Sequence, residues 1–115
     1  MTDGNITAEM RQLFQKSGDE ALCEQVYLLS KQLCQQENII MTDYQQLSLI
    51  SHLSAMVHRS ITKEKVTAVD KAIFTDVSEN SIKLSKKITD FLPNLIADEI
   101  YLLSIHFEVA RQNKG

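Results

Sequence analysis

Three glycines and one proline in 115 residues are too few breakpoints for a β-sandwich or barrel, which depends on many tight turns. Basic runs are missing as well. With a formal net charge of -3, the chain carries no electrostatic footprint for direct nucleic-acid binding, which relies on neutralising phosphates. No apolar run approaches the ~20 residues of a membrane-spanning helix, so no membrane partner is expected. The N-terminal Met1-Thr2-Asp3-Gly4-Asn5 lacks the basic and apolar regions of a signal peptide, and the expected location is cytoplasmic. A glycine-rich phosphate loop, a Cys-x-x-Cys pair and a nucleophile elbow are all absent. The expectation is a protein that is not an enzyme and needs no cofactor.

What is present is ordinary globular material. Hydrophobic residues make up 43% and charged residues 23%, which argues against disorder. Residues 1–115 read as one helical domain with its core at about 7–111; the first five residues and the tail 112–115 are expected to fray. Cys23 and Cys34 lie eleven residues apart on one expected helix, close to three turns. They share a face but sit roughly 16 Å apart along the axis, whereas a disulfide needs Cα atoms within about 7 Å. Both are expected to be free thiols in or near the core.

Helical spacing accounts for most of the chain. Thr7 can open a short helix carrying Met10, Leu13 and Phe14. Ser17-Gly18-Asp19-Glu20 has the form of a capping box with Ser17 as N-cap, followed by the stripe Leu22, Val26, Leu29 and Leu33. Glu37-Asn38 ends that helix, and Thr42 or Asp43 caps the next, over about 44–59, with Leu47, Ile50, Leu53 and Val57 inward. Thr62 is read as the N-cap of a weak helix over 63–74, although its β-branched residues oppose it. Asp76-Val77-Ser78 starts another, leading to Ile82, Leu84, Ile88 and Phe91. Pro93 fits the first turn of a last helix over about 94–111, or the loop before it, with Ile96, Ile100, Leu103, Phe107 and Ala110 on its stripe. Five or six helices with short connections imply an all-α bundle.

Acidic pairs such as Asp19-Glu20 and Asp98-Glu99 sit near helix starts, where the macrodipole favours them regardless of function. The histidines carry more. His58 shares a polar face with Ser51 and Ser54 and is expected to be solvated. His52 and His106 flank strongly apolar stripes, and taken singly each has the setting of a structural residue at a core boundary. Their neighbours change this. Arg59 lies seven residues after His52, and Glu99 seven before His106. Seven residues is two turns, about 10 Å on one helix face. In an antiparallel pair, opposed positions keep a constant index sum, so one register sets His52 against His106 and Arg59 against Glu99. Such a cluster suits an imidazole that accepts a phosphoryl group. The acceptor nitrogen must be free and neutral, and a nearby guanidinium can bond the added negative charge. Two histidines and a glutamate also make a partial metal site. Metal-binding helices, however, present ligands three or four residues apart on one helix, which neither helix does, so no metal is expected. The residues leave three readings: a phosphoryl receiver, a protein-binding module without phosphorylation, and a His/Glu metal-binding protein.

The segment Leu47-Ser48-Leu49-Ile50-Ser51-His52-Leu53 with Arg59 resembles the first histidine motif of the phosphotransferase-system regulation domain, PRD. Leu92-Pro93, then Asp98-Glu99-Ile100 through His106-Phe107, resembles the second, with Glu99 seven residues before the histidine. Residues 60–84 lack the Asn-Pro and Tyr-Pro features of the family. The resemblance implies a five-helix fold with two antiparallel helix pairs, the two motif helices packed together. It also implies homodimerisation and reversible phosphorylation by the phosphocarrier HPr or a sugar-specific EIIB component. On it, His52 and His106 are candidate phosphoacceptors, supported by Arg59 and Glu99. Family members join such domains to an RNA- or DNA-binding module that regulates transcription or antitermination. With a single domain here, the expected output runs through protein contacts or dimer rearrangement.

Overall fold

Side-chain oxygens placed three residues ahead of a free amide open most of the helices. The structure, a computed structural model, describes residues 6–113; the first five residues and positions 114–115 lie outside the described residues. The elements are α1 (Ala8–Lys16), α2 (Glu20–Gln36), α3 (Asp43–Thr62), a 3₁₀ turn (Lys71–Phe74), α4 (Glu79–Thr89) and α5 (Asp98–Ala110), with no strand among the described residues. Thr7 caps α1 by accepting from the Met10 amide. Thr42 caps α3 in a full capping box with Gln45, and Ser78 caps α4 through the Ser81 amide. Each such cap contributes about 1 kcal/mol.

Five expectations need correction. The α2 cap is Asp19, whose carboxylate accepts from the Leu22 amide, and not Ser17. Ser17 is instead fully buried, its hydroxyl donating to the Phe14 carbonyl at 2.6 Å, and Gly18 at φ 94 supplies the left-handed step between the helices. The helix expected over 63–74 does not form. Thr62 is the last residue of α3, Lys63 terminates it in the left-handed region at φ 65, and only Lys71–Phe74 makes a 3₁₀ turn. From 61 to 73 no residue is buried, so nothing offsets the low helix propensity of Val66, Thr67, Val69 and Ile73. The last helix begins at Asp98, four residues later than expected, because Asn94 at φ 64 reverses the chain and donates its side-chain amide to the Ser60 carbonyl. Phe91, expected on the α4 stripe, lies past the helix end and is 47% exposed. The tail also departs from expectation at Asn113, which is anchored by a 2.6 Å bond to the Ile40 carbonyl.

Packing follows the apolar stripes. Leu49, Ile50, Leu53, Met56 and Val57 of α3 join Phe14 and Tyr27 in one buried cluster. Leu84 and Ile88 of α4 and Leu103 and Phe107 of α5 belong to the same cluster. The α4–α5 pair runs antiparallel: Ser78 and Ser81 at the start of α4 meet Glu108 and Arg111 at the end of α5. Arg111 also reaches Glu37 at the end of α2, tying three helix termini together. Cys23 and Cys34 are free and buried, as the spacing required, and burial pushes both thiols up to about 11. No helix among the described residues is long and apolar enough to cross a membrane.

Candidate functional site

The second antiparallel pair, α3 against α5, carries the site. Arg59 and Glu99 form a two-pronged ion pair, with Nε and one terminal nitrogen each 2.7 Å from a carboxylate oxygen. The Glu99 side chain is 1% exposed and that of Arg59 18%, so the charges meet in a nearly dry setting. Two turns away, the His52 and His106 rings stand with centroids 5.0 Å apart and planes tilted by 58°. Two turns further, the Asn113 amide bonds the Gln45 side-chain oxygen. The pairs 45–113, 52–106 and 59–99 form a ladder with seven-residue steps along α3 and along α5 with the tail that follows it, in one register. The structure thus brings all four expected site residues together. It adds Gln45 and Asn113, which the same offset would have found had the tail not been taken as frayed.

The imidazoles are electrically quiet. Burial first, then the neighbouring His106 and Arg59, push His52 down to about 4, and burial lowers His106 as well. Both rings are therefore neutral near pH 7 and keep a lone pair available. Of the ring nitrogens in the pair, Nε2 of His52 alone is sealed from solvent without a hydrogen-bond partner. Glu99 cannot readily add a ligand for a cation, since both of its oxygens are engaged by Arg59. Among the described residues no group of three or more metal-ligating side chains occurs.

The remaining candidates behave as surface groups. His58 has a half-exposed side chain, with Nε2 3.9 Å from Glu64. Asp19 is a helix cap. Asp98 does more than face a helix dipole: its carboxylate accepts from the Val69 amide and ties the segment after α3 to the start of α5. Lys71 and Phe74 continue that attachment against the Tyr101 ring. A cleft of about 890 Å³, lined by Lys16, Ser51, His58, Arg59, Lys65 and others, opens beside the ion pair.

A five-helix domain with a histidine pair and a buried Arg–Glu clamp spanning two antiparallel helices is a specific class of small helical module. No protein-family profile and no curated protein sequence matches the chain. Among solved structures it is similar to a PRD-containing transcription regulator from Lactobacillus casei ATCC 334. The two share 31% sequence identity, with a TM-score of 0.86, over 91% of this chain and 94% of that one. At that identity and coverage the chain belongs to the PRD family, and its fold is the PRD helical bundle.

Proposed function

We propose that this PRD is a phosphoryl-receiving regulatory domain, with His52 and His106 as the candidate acceptors and Arg59 and Glu99 as their support. The observation that carries the reading is the pair of neutral imidazoles, 5.0 Å apart, held in register by a buried ion pair. A neutral imidazole is the nucleophilic form, and a phosphoryl group adds close to two negative charges at a histidine pair that carries none at rest. Arg59 spends two of its five N–H donors on Glu99, which leaves donors for phosphate oxygens. The donors in this reading are HPr or an EIIB component, which supply the chemistry; the domain is their substrate and not itself an enzyme. Its setting is cytoplasmic.

The output in this reading is control of transcription or antitermination through protein contacts, in keeping with the L. casei neighbour being a transcription regulator. A homodimer fits the outer face of α5, where Ile105 and Val109 are 42% and 48% exposed on a helix that is apolar on several sides. A new charge at the histidine pair would then act on helix or subunit packing, the usual route of a phosphorylation switch.

Incubating the protein with HPr, its kinase enzyme and phosphoenolpyruvate, and in parallel with phosphorylated EIIB, tests the reading. Acid-labile phosphate on wild type, lost in the double variant His52→Ala/His106→Ala but retained in His58→Ala, is the expected result. No uptake from either donor would leave the domain as a protein-binding module without phosphorylation.

A further inference from the structure

We propose that the two histidines of the pair have different jobs: His106 receives the phosphoryl group, and His52 positions it by accepting the ring N–H of phosphorylated His106 through its own Nε2. The inference rests on the phosphoryl-receiver reading but divides its labour in a way the sequence pattern does not.

Access is the first ground. An acceptor nitrogen has to meet a phosphorus atom carried by another molecule, and the product carries charged oxygens that need water or donors around them. Nε2 of His52 has neither: it is closed off from solvent and has no hydrogen-bond partner. No nitrogen of His106 is enclosed in that way. Attack from His106 therefore leaves the charged product at the more open ring. Attack through the other nitrogen of His52 would place the ring's remaining proton at the sealed position, on the ring that already faces the Arg59 charge.

The second ground is the cost of the resting arrangement. A buried polar atom without a partner calls for a reason, because an apolar side chain would fill the same place between α3 and α5 without that cost. The centroid separation of 5.0 Å brings His106 close enough for an N–H to nitrogen bond after a modest ring rotation. The lone pair of Nε2 is available because burial keeps His52 neutral. Of the charged groups on the two helices, Glu99 is occupied by Arg59 and does not compete for that proton.

The transfer balances without another reactant. The lone pair of the attacking His106 nitrogen forms the new N–P bond, and the donor's bond to phosphorus breaks with its electron pair staying on the donor atom. The proton already on the second His106 nitrogen remains there, shared with Nε2 of His52.

Phosphoramidate, which phosphorylates imidazoles without any protein donor, separates this division from the choice of donor. Protein labelled with ¹⁵N at histidine is treated with phosphoramidate, and long-range nitrogen–proton NMR identifies the modified ring. The expected result is phosphate on His106 and on the exposed control His58, but not on His52. In His52→Ala, phosphate still appears on His106, with a hydrolysis half-life changed at least fivefold and an altered pH profile. His52→Asn, whose side-chain oxygen can accept the same N–H, restores the wild-type profile at least in part. Modification of wild type at His52, or labelling of His58 with none on His106, overturns the proposal. So does an unchanged half-life in His52→Ala. If phosphoramidate labels His106 while HPr and EIIB do not, the donor assignment fails and the division of roles stands.

Discussion

The buried ion pair between α3 and α5 makes the sharpest demand on the physical account. Arg59→Ala removes both hydrogen-bond donors of a carboxylate that is 1% exposed and held by two 2.7 Å bonds. Leaving a buried charge unpaired costs about 3–5 kcal/mol, far more than an exposed pair is worth. Against a total of about 5–15 kcal/mol for a domain of this size, that is a large share. With a urea slope of roughly 1.5 kcal/mol per molar, the unfolding midpoint falls by about 2–3 M. The complementary change is Arg59→Met with Glu99→Leu, which removes both charges and keeps apolar bulk. Because desolvation offsets most of the Coulomb gain in such pairs, the double variant should lie within about 1 kcal/mol of wild type, or above it. Equilibrium urea unfolding followed by far-UV circular dichroism measures all three proteins. A loss below 1 kcal/mol in Arg59→Ala, or a double variant no more stable than the single one, would refute the reasoning. If the pair serves mainly to hold register, the stable double variant should also show weakened cross-ring contacts between His52 and His106 by NMR.

Acid sensitivity follows from the imidazoles: His52 is held at about 4 against an ordinary 6.5, so the unfolded chain binds the extra proton between those values. Stability is complete above pH 6.5 and falls as the pH drops toward 4, by up to about 3 kcal/mol; a stability that stays flat between pH 7 and 5 in urea titrations would contradict the assignment. Both cysteines, buried and pushed up to about 11, should resist a thiol reagent such as DTNB in the native state and react fully in denaturant. Lys63 holds φ 65 at the end of α3 without being glycine, so Lys63→Gly should raise the thermal midpoint, by an amount equivalent to about 0.5–1 kcal/mol. A lowered midpoint would show that contacts of the Lys63 side chain outweigh the backbone strain.

Much of the fold was legible because its signals are local. Thr7, Thr42 and Ser78 are side-chain acceptors standing three residues before the amide they bind, a relation visible in any window of the chain. Around Ser17-Gly18-Asp19 the same rule admits two caps, and burial decides: the α1–α2 turn sends Ser17 inward and leaves Asp19 at the helix end. The segment after α3 misleads for a related reason. Val66, Val69 and Ile73 repeat at helical spacing, but none of them is buried, and Ile73 is 72% exposed. What orders this stretch is long-range: Val69 on Asp98, Lys65 on Asn94, Phe74 on Tyr101. Periodicity states that a stripe exists, and only the rest of the fold states whether anything is there to cover it.

The site divides the same way. Seven-residue offsets from His52 to Arg59 and from Glu99 to His106 belong to the chain itself, and an antiparallel register turns them into contacts without further assumption. The third rung shows that the offset was the signal, since Gln45 of α3 and Asn113, three residues past the end of α5, meet at the next step of seven. A period cannot carry depth. His52 and His106 look alike in sequence, each one residue before an apolar residue that faces the core, Leu53 and Phe107. Yet one ring has a nitrogen sealed without a partner and the other does not. That difference arises from how the helices press together around the two rings, and it is the ground on which we propose different roles for two candidates that look equivalent in sequence.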